Sequence, residues 1–139
     1  MADSTYQKIQ QVLSDLIDRI VGFKPADVEF IPNRDIDFEK YFEDIVGVTM
    51  LRNAKEKVKV VLRFTPERFP YVVSKPIHAS QQTVSGDDCI ISIEVRPNKE
   101  LFTQIFSYFP DVEVLSPEAM RAEVRQKIEE NLRKYNTTL

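Results

Sequence analysis

Several familiar chemistries are excluded by what this chain lacks. It has one cysteine and one histidine, so it can form no intramolecular disulfide and has no Cys or His pair at metal-ligand spacing. Its three glycines, Gly22, Gly47 and Gly86, stand in no Gly-rich phosphate loop. No apolar stretch approaches the ~20 residues needed to span a bilayer, and no secretory apolar region opens the chain. The expectation is a cytoplasmic protein with no membrane partner and no cofactor. A basic excess is missing as well: Lys and Arg number 19 against 22 Asp and Glu, for a net charge of -3. Phosphate contacts supply most of the affinity of a duplex binder, so unaided DNA binding is disfavoured.

The remainder is an ordinary globular composition. The 139 residues, 42 % hydrophobic and 29 % charged, suit one domain with an arm. Ser4 to Ile20 has helical periodicity, with Ile9, Val12, Leu13, Leu16, Ile17 and Ile20 on one stripe and Ser4 as N-cap. Residues 1–22 are therefore expected to be an amphipathic helical arm, packed on the rest of the chain or on a second copy. Residues 23–46 are expected to be a connector, because Pro25 and Pro32 interrupt regular structure. Within it, Asp37 to Glu43 predicts one or two helical turns, anchored by Phe38, Tyr41 and Phe42.

Residues 47–139 are expected to form the compact domain. Lys57 to Phe64 alternates, with Val58, Val60, Leu62 and Phe64 on one face, as a half-buried strand does. Thr65-Pro66 reads as a helix start, but Pro70 limits the segment to a short turn followed by a short helix ending at Ser74. Ile77 to Val84 predicts a second strand, Ser85 to Asp88 a turn, and Cys89 to Val95 a third strand, so that the two strands form a hairpin. Cys89 reads as a small buried apolar residue rather than a reactive thiol. Asn98 is a good N-cap for a helix carrying Leu101, Phe102, Ile105, Phe106 and Phe109, which Pro110 ends. Asp111 to Leu115 is a short strand. Ser116 as cap and Pro117 at the first position open a last helix with the row Met120, Val124, Ile128 and Leu132. The order β-α-β-β-α-β plus a helix is the ferredoxin-like arrangement, an α+β fold with one sheet face left for an added element or a partner.

At this point the residues resemble a known family. Phe64-Thr65-Pro66-Glu67-Arg68-Phe69-Pro70-Tyr71-Val72, then Lys75-Pro76-Ile77-His78-Ala79-Ser80-Gln81, then Pro97-Asn98-Lys99-Glu100-Leu101 and Asp111-Val112-Glu113-Val114-Leu115-Ser116-Pro117 occur in the order seen in the C-terminal extension (WCX) of bacterial WYL-domain transcriptional regulators. Each piece alone is weak, and the ordered set over about residues 45 to 135 is specific. Ile17-Asp18-Arg19-Ile20 and Tyr41-Phe42 through Gly47 resemble the junction between a WYL domain and that extension. In the family the Asp-Arg-Ile stretch ends a strand, whereas here it ends a helical pattern, so residues 17–22 stay open between helix and strand. The resemblance implies a homodimer, a full-length regulator that also carries WYL and helix-turn-helix domains, and a role in effector response. This chain would keep the dimerising, relaying part without its own DNA-binding domain.

Five residues are expected to take part in ligand binding. Arg63, Arg68, Lys75, Arg96 and Lys99 are candidates for a local basic surface, which would recognise phosphate because Arg offers bidentate donors; Arg63 and Arg68 are the two taken into the binding set. Tyr71 is placed to stack on a base. His78 and Gln81 enter by family analogy. The alternative function is a free-standing binding domain for an anionic metabolite or a short single-stranded oligonucleotide. No catalytic residue is expected: His78 and Ser80 lack the acid, the oxyanion hole and the nucleophile elbow that a triad requires.

Overall fold

A computed structural model describes residues 17, 19–22, 24–25, 27–48 and 56–137. The arm's helical pattern over residues 5–16 lies outside the described residues. Ile20, Val21 and Gly22 belong to neither helix nor strand.

Four strands, β1 (Val58–Phe64), β2 (Gln82–Ser85), β3 (Ile90–Val95) and β4 (Val112–Ser116), form one antiparallel sheet in the order β2-β3-β1-β4. Among the described residues four helices accompany them: α1 (Phe38–Tyr41), α2 (Phe69–Ser74), α3 (Lys99–Ser107) and α4 (Glu118–Asn136). Alternation in β1 and β3 decides which face is buried. Val60 sits opposite Ile93 and Leu62 opposite Ile91, and all four are fully buried. Val72 of α2, Leu101 and Ile105 of α3, and Met120 and Val124 of α4 join the same core, so these three helices share that face. Each large aliphatic side chain buried there contributes ~1.5–3 kcal/mol of transfer free energy. The other face carries Lys59 opposite Glu94 and Arg63 opposite Glu113.

Three boundaries differ from the expectation. The strand expected over 77–84 is only Gln82–Ser85. The Gln81 carboxamide oxygen accepts from Ile77 N, and Gln81 N donates to His78 O, so local bonds replace ladder bonds through residues 77–81. The hairpin turn runs through Cys89, a buried residue with φ 57°, and β3 starts one residue later at Ile90. Ser116 does not cap the last helix, because it is still paired with Val61 in the sheet; Pro117 is the N-cap residue instead. Its φ of -71° and ψ of 158° suit a cap, which is extended rather than helical.

The connector docks differently from the expected aromatic anchoring. Asp37 caps α1 through its carboxylate. Phe38 and Tyr41 stay exposed, Phe38 stacked on Phe42 and Tyr41 edge-on to it, while Ile45 and Val46 are the residues that become buried.

Candidate functional site

The sheet has two ends, and the side chains with polar character divide between them. At one end β1 begins and β3 finishes, Val58 opposite Val95. The connector crosses this end and is held by a set of short hydrogen bonds. Arg96 N donates to Asp44 O at 2.6 Å, and the buried Asn98 side chain donates to Val46 O at 2.8 Å. Asn98 also accepts from Leu101 N at 2.9 Å, so one side chain caps α3 and grips the connector. His78 Nε2 donates to Glu43 O at 2.7 Å. On its other side, Nδ1 accepts from Ser80 N at 3.1 Å and lies 2.7 Å from Ser80 Oγ. That hydroxyl accepts from Glu94 N of β3 at 2.8 Å. A continuous chain of contacts therefore runs from connector backbone through His78 and Ser80 into β3. Gly47 turns the connector at φ 76° against α3, where an added Cβ would stand 2.7 Å from Glu100 Cγ.

Charge reinforces the same joint. Asp44 lies 2.7 Å from Lys57 Nζ and 3.5 Å from Arg96 Nε. The Lys57 hydrogen bond, with further attraction from Lys57 and Arg96, outweighs partial burial and holds the Asp44 carboxyl below its ordinary range. The same hydrogen bond raises Lys57 above its ordinary value.

At the other end, β1 finishes and β4 begins. Thr65 N donates to Asp111 O, and Arg68 meets the Asp111 carboxylate at 3.4 Å. Tyr71, exposed on α2, has two cations near its ring: the Arg68 guanidinium carbon 5.6 Å and Lys75 Nζ 5.3 Å from the centroid. Both separations fall within cation–π range.

The five residues expected to bind ligand are thus not gathered into one pocket. Arg68 and Tyr71 come together. Arg63 lies on the open sheet face, 3.4 Å from Glu113. Glu113 also takes a hydrogen bond from Arg121, which, with the charges of Arg121 and Arg63, lowers its carboxyl below the ordinary value. His78 and Gln81 sit at the connector end, where Gln81 Nε2 donates to Val72 O and supports the loop. Asp44, Gly47 and Asn98 are the functional candidates that sequence reasoning missed or read by half. Asn98 was legible as a cap, and nothing in its local sequence points to Val46, 52 residues away.

Among the described residues there is no group of three or more His, Cys, Asp or Glu able to hold a metal ion, and no helix is long and apolar enough to cross a membrane. Two open grooves flank α4, one of about 350 Å³ against α3 and one of about 430 Å³ against β4.

The described fold is thus a small antiparallel sheet backed on one face by three helices, with a preceding segment held to one end. The WCX domain family model matches residues 56–132, more than half of the chain, and the chain belongs to that family. The WCX domain is associated with WYL regulators, so this is a WYL-regulator-associated module. The four motif segments that carried the resemblance fall inside the matched region, apart from the connector junction before it. No curated protein matches the chain.

Proposed function

We propose that this chain is the relay and self-association module of a WYL-type transcriptional regulator, acting without catalytic chemistry. In this reading the folded unit is a ferredoxin-like βαββαβ core with an added C-terminal helix, and the connector's last residues, from Phe42 to Val46, belong to it. The WYL and helix-turn-helix domains of a full-length regulator would precede the connector. The observation that carries the reading is the connector joint. Main-chain carbonyls of Glu43, Asp44 and Val46 are each held by a group anchored in a different part of the domain: the 75–81 loop, the end of β3, and the start of α3. A displacement of the upstream chain then has to move β3 and α3 together or break several bonds at once, which is what an effector relay needs.

Native-state hydrogen exchange tests this directly. The Arg96 amide, which donates to the connector, is expected to exchange with the same opening free energy as the central amides of β3. An Arg96 amide that exchanges as freely as an exposed loop amide, with β3 still protected, would sink the relay. His78 and Ser80 are assigned to the joint rather than to catalysis, and a hydrolase screen is expected to return no turnover that His78→Ala abolishes.

A second reading rests on the cations around Tyr71. Arg68 and Lys75 beside one exposed ring suit an anionic ligand, such as a phosphate-bearing metabolite or a short single-stranded oligonucleotide. Fluorescence polarisation with labelled single-stranded DNA at low salt is the test. Binding weakened by Tyr71→Ala supports it, and no binding at low salt removes it.

A further inference from the structure

Helix α4 is 19 residues long, about 28 Å at ~1.5 Å per residue, and only part of it rests on the sheet. Its apolar row changes character along its length. Met120 and Val124 are buried in the core, while Ile128, Leu132 and Tyr135 continue the row with relative exposures of 45 %, 55 % and 82 %. From Arg125 onward every residue of the helix is exposed. An apolar row is usually kept in a helix because something covers it. Beside its first half runs the groove of about 430 Å³ between α4 and β4, whose apolar wall includes Phe109, Val112, Ala122, Val124 and Ile128.

We propose that this row and this groove are the two halves of one self-complementary surface, and that a second copy of the chain covers it through an antiparallel pairing of the two α4 helices about a two-fold axis near Ile128. The proposal rests on the homodimer in the reading above and names its interface. Three observations select a second copy. Ile128 belongs both to the exposed row and to the wall of the groove, so the two features adjoin, and an isologous contact requires that the patch match itself. Placing the axis near Ile128 lays the partner's Leu132 and Tyr135 along the first half of α4, beside the groove. The charges agree with the antiparallel sense. Glu118 stands in the first turn and Arg133 and Lys134 in the last, so antiparallel pairing sets acidic ends against basic ends twice, whereas parallel pairing sets like against like. On one flank of the row Arg125 and Glu129, paired within the helix at 2.9 Å, present opposite charges to their counterparts in the same arrangement.

Two measurements test the interface. Light scattering after size exclusion is expected to show a dimer for the unmodified chain and a monomer for Leu132→Glu, with dissociation strengthened about tenfold or more. Leu132 is exposed in the single chain, so circular dichroism should be unchanged. Second, Ile128→Cys in a Cys89→Ser background is expected to form a covalent dimer under mild oxidation, because a residue near the axis meets its own copy within disulfide reach. Gln126→Cys, on the opposite side of the helix, is expected to stay reduced under the same conditions. A dimer that survives Leu132→Glu and gives no Ile128→Cys cross-link overturns the interface and leaves the homodimer standing. An unmodified chain that is monomeric at every concentration overturns both.

Discussion

The two ends of the sheet use their polar side chains in opposite ways. At the connector end, side chains and the Arg96 amide just after β3 are aimed at backbone carbonyls far away in sequence, at 2.6 to 2.8 Å, and Asn98 among them is buried. At the far end, Arg68, Asp111 and Thr65 meet one another at 3.4 Å with their charged groups partly in water. Backbone carbonyls taken out of solvent must be satisfied, and losing a buried partner costs more than losing an exposed ion pair. The connector end is therefore a structural joint, and the far end is a surface of partly hydrated charges. The comparison can be broken by showing that the two ends respond alike to substitution.

The largest difference should come from Asn98. Asn98→Ala removes the α3 cap, ~1 kcal/mol, and leaves the Val46 carbonyl without its donor, about 1–3 kcal/mol. Equilibrium urea unfolding should show a total loss of about 2–4 kcal/mol with an unchanged m value. Asn98→Asp sharpens the assignment, because its carboxylate still caps Leu101 N but cannot donate to Val46. It should recover the capping part only. A loss under ~0.5 kcal/mol for Asn98→Ala would mean that the joint is no firmer than the far end.

Gly47→Ala comes next. At φ 76° a Cβ is strained on its own account, and it would also press on Glu100 Cβ at 2.9 Å. The expected cost is about 1–3 kcal/mol, read from the same unfolding curves. Gly22 and Gly86 have open space where a Cβ would go, so Gly86→Ala, which has no positive φ to preserve, is a control expected to be close to neutral.

Those two residues mark how far the sequence could be read. Elements with a half-buried period were legible: Val58-Val60-Leu62-Phe64 and Ile91-Ile93-Val95 name their own buried face, and Asn98 before Leu101 and Ile105 names a helix start. The connector's anchor was not legible, because Ile45-Val46 is a dipeptide with no period, and the more conspicuous aromatics Phe38 and Tyr41 drew the assignment. Nor was the loop before β2. His78, Ser80 and Gln81 look like strand residues by composition, yet each finds a hydrogen bond with nearby backbone that competes with a ladder. The expected ligand set failed to assemble for a topological reason. Helix α2 and the loop after it carry the chain from one end of the sheet to the other, so Arg68 and His78, ten residues apart, finish at opposite ends.

His78→Ala should cost less than either change above, about 0.5–1.5 kcal/mol, since one exposed hydrogen bond to Glu43 O is lost and Ser80 keeps its contact with Glu94. Its sharper readout is local: exchange at the Arg96 amide should quicken while the central β3 amides hold their protection.

Charge at the joint adds a pH signature. The folded Asp44 carboxyl is lowered from an unfolded value of 3.8, so its contribution is present at neutral pH, begins to fade as pH falls past 3.8, and is gone below the folded value. Lys57 is raised from 10.5, so its share is present below 10.5 and is lost as pH rises through the folded value. The stability difference between the unmodified chain and Asp44→Asn should accordingly be flat across neutral pH and shrink toward both extremes. A difference independent of pH would remove the ion pair from the joint.

The smallest effect belongs to the far end, where it decides whether the contrast is real. Arg68→Ala removes a long, partly hydrated ion pair with Asp111 and a contact with the Tyr71 ring. Exposed pairs of this kind contribute ~0–1 kcal/mol, because water screens the attraction and ordering two long side chains offsets much of it. The loss should also shrink at high salt, since a Debye length of ~3 Å at 1 M leaves little attraction across partly exposed charges. Asn98→Ala involves only neutral partners and should cost the same at low and high salt. Measuring both variants at both ionic strengths separates the neutral, buried Asn98 contact from a charged, wet surface. If Arg68→Ala instead cost as much as Asn98→Ala and were equally insensitive to salt, the far end would be a second structural joint, and the cations around Tyr71 would be committed to the fold rather than open to an anionic ligand.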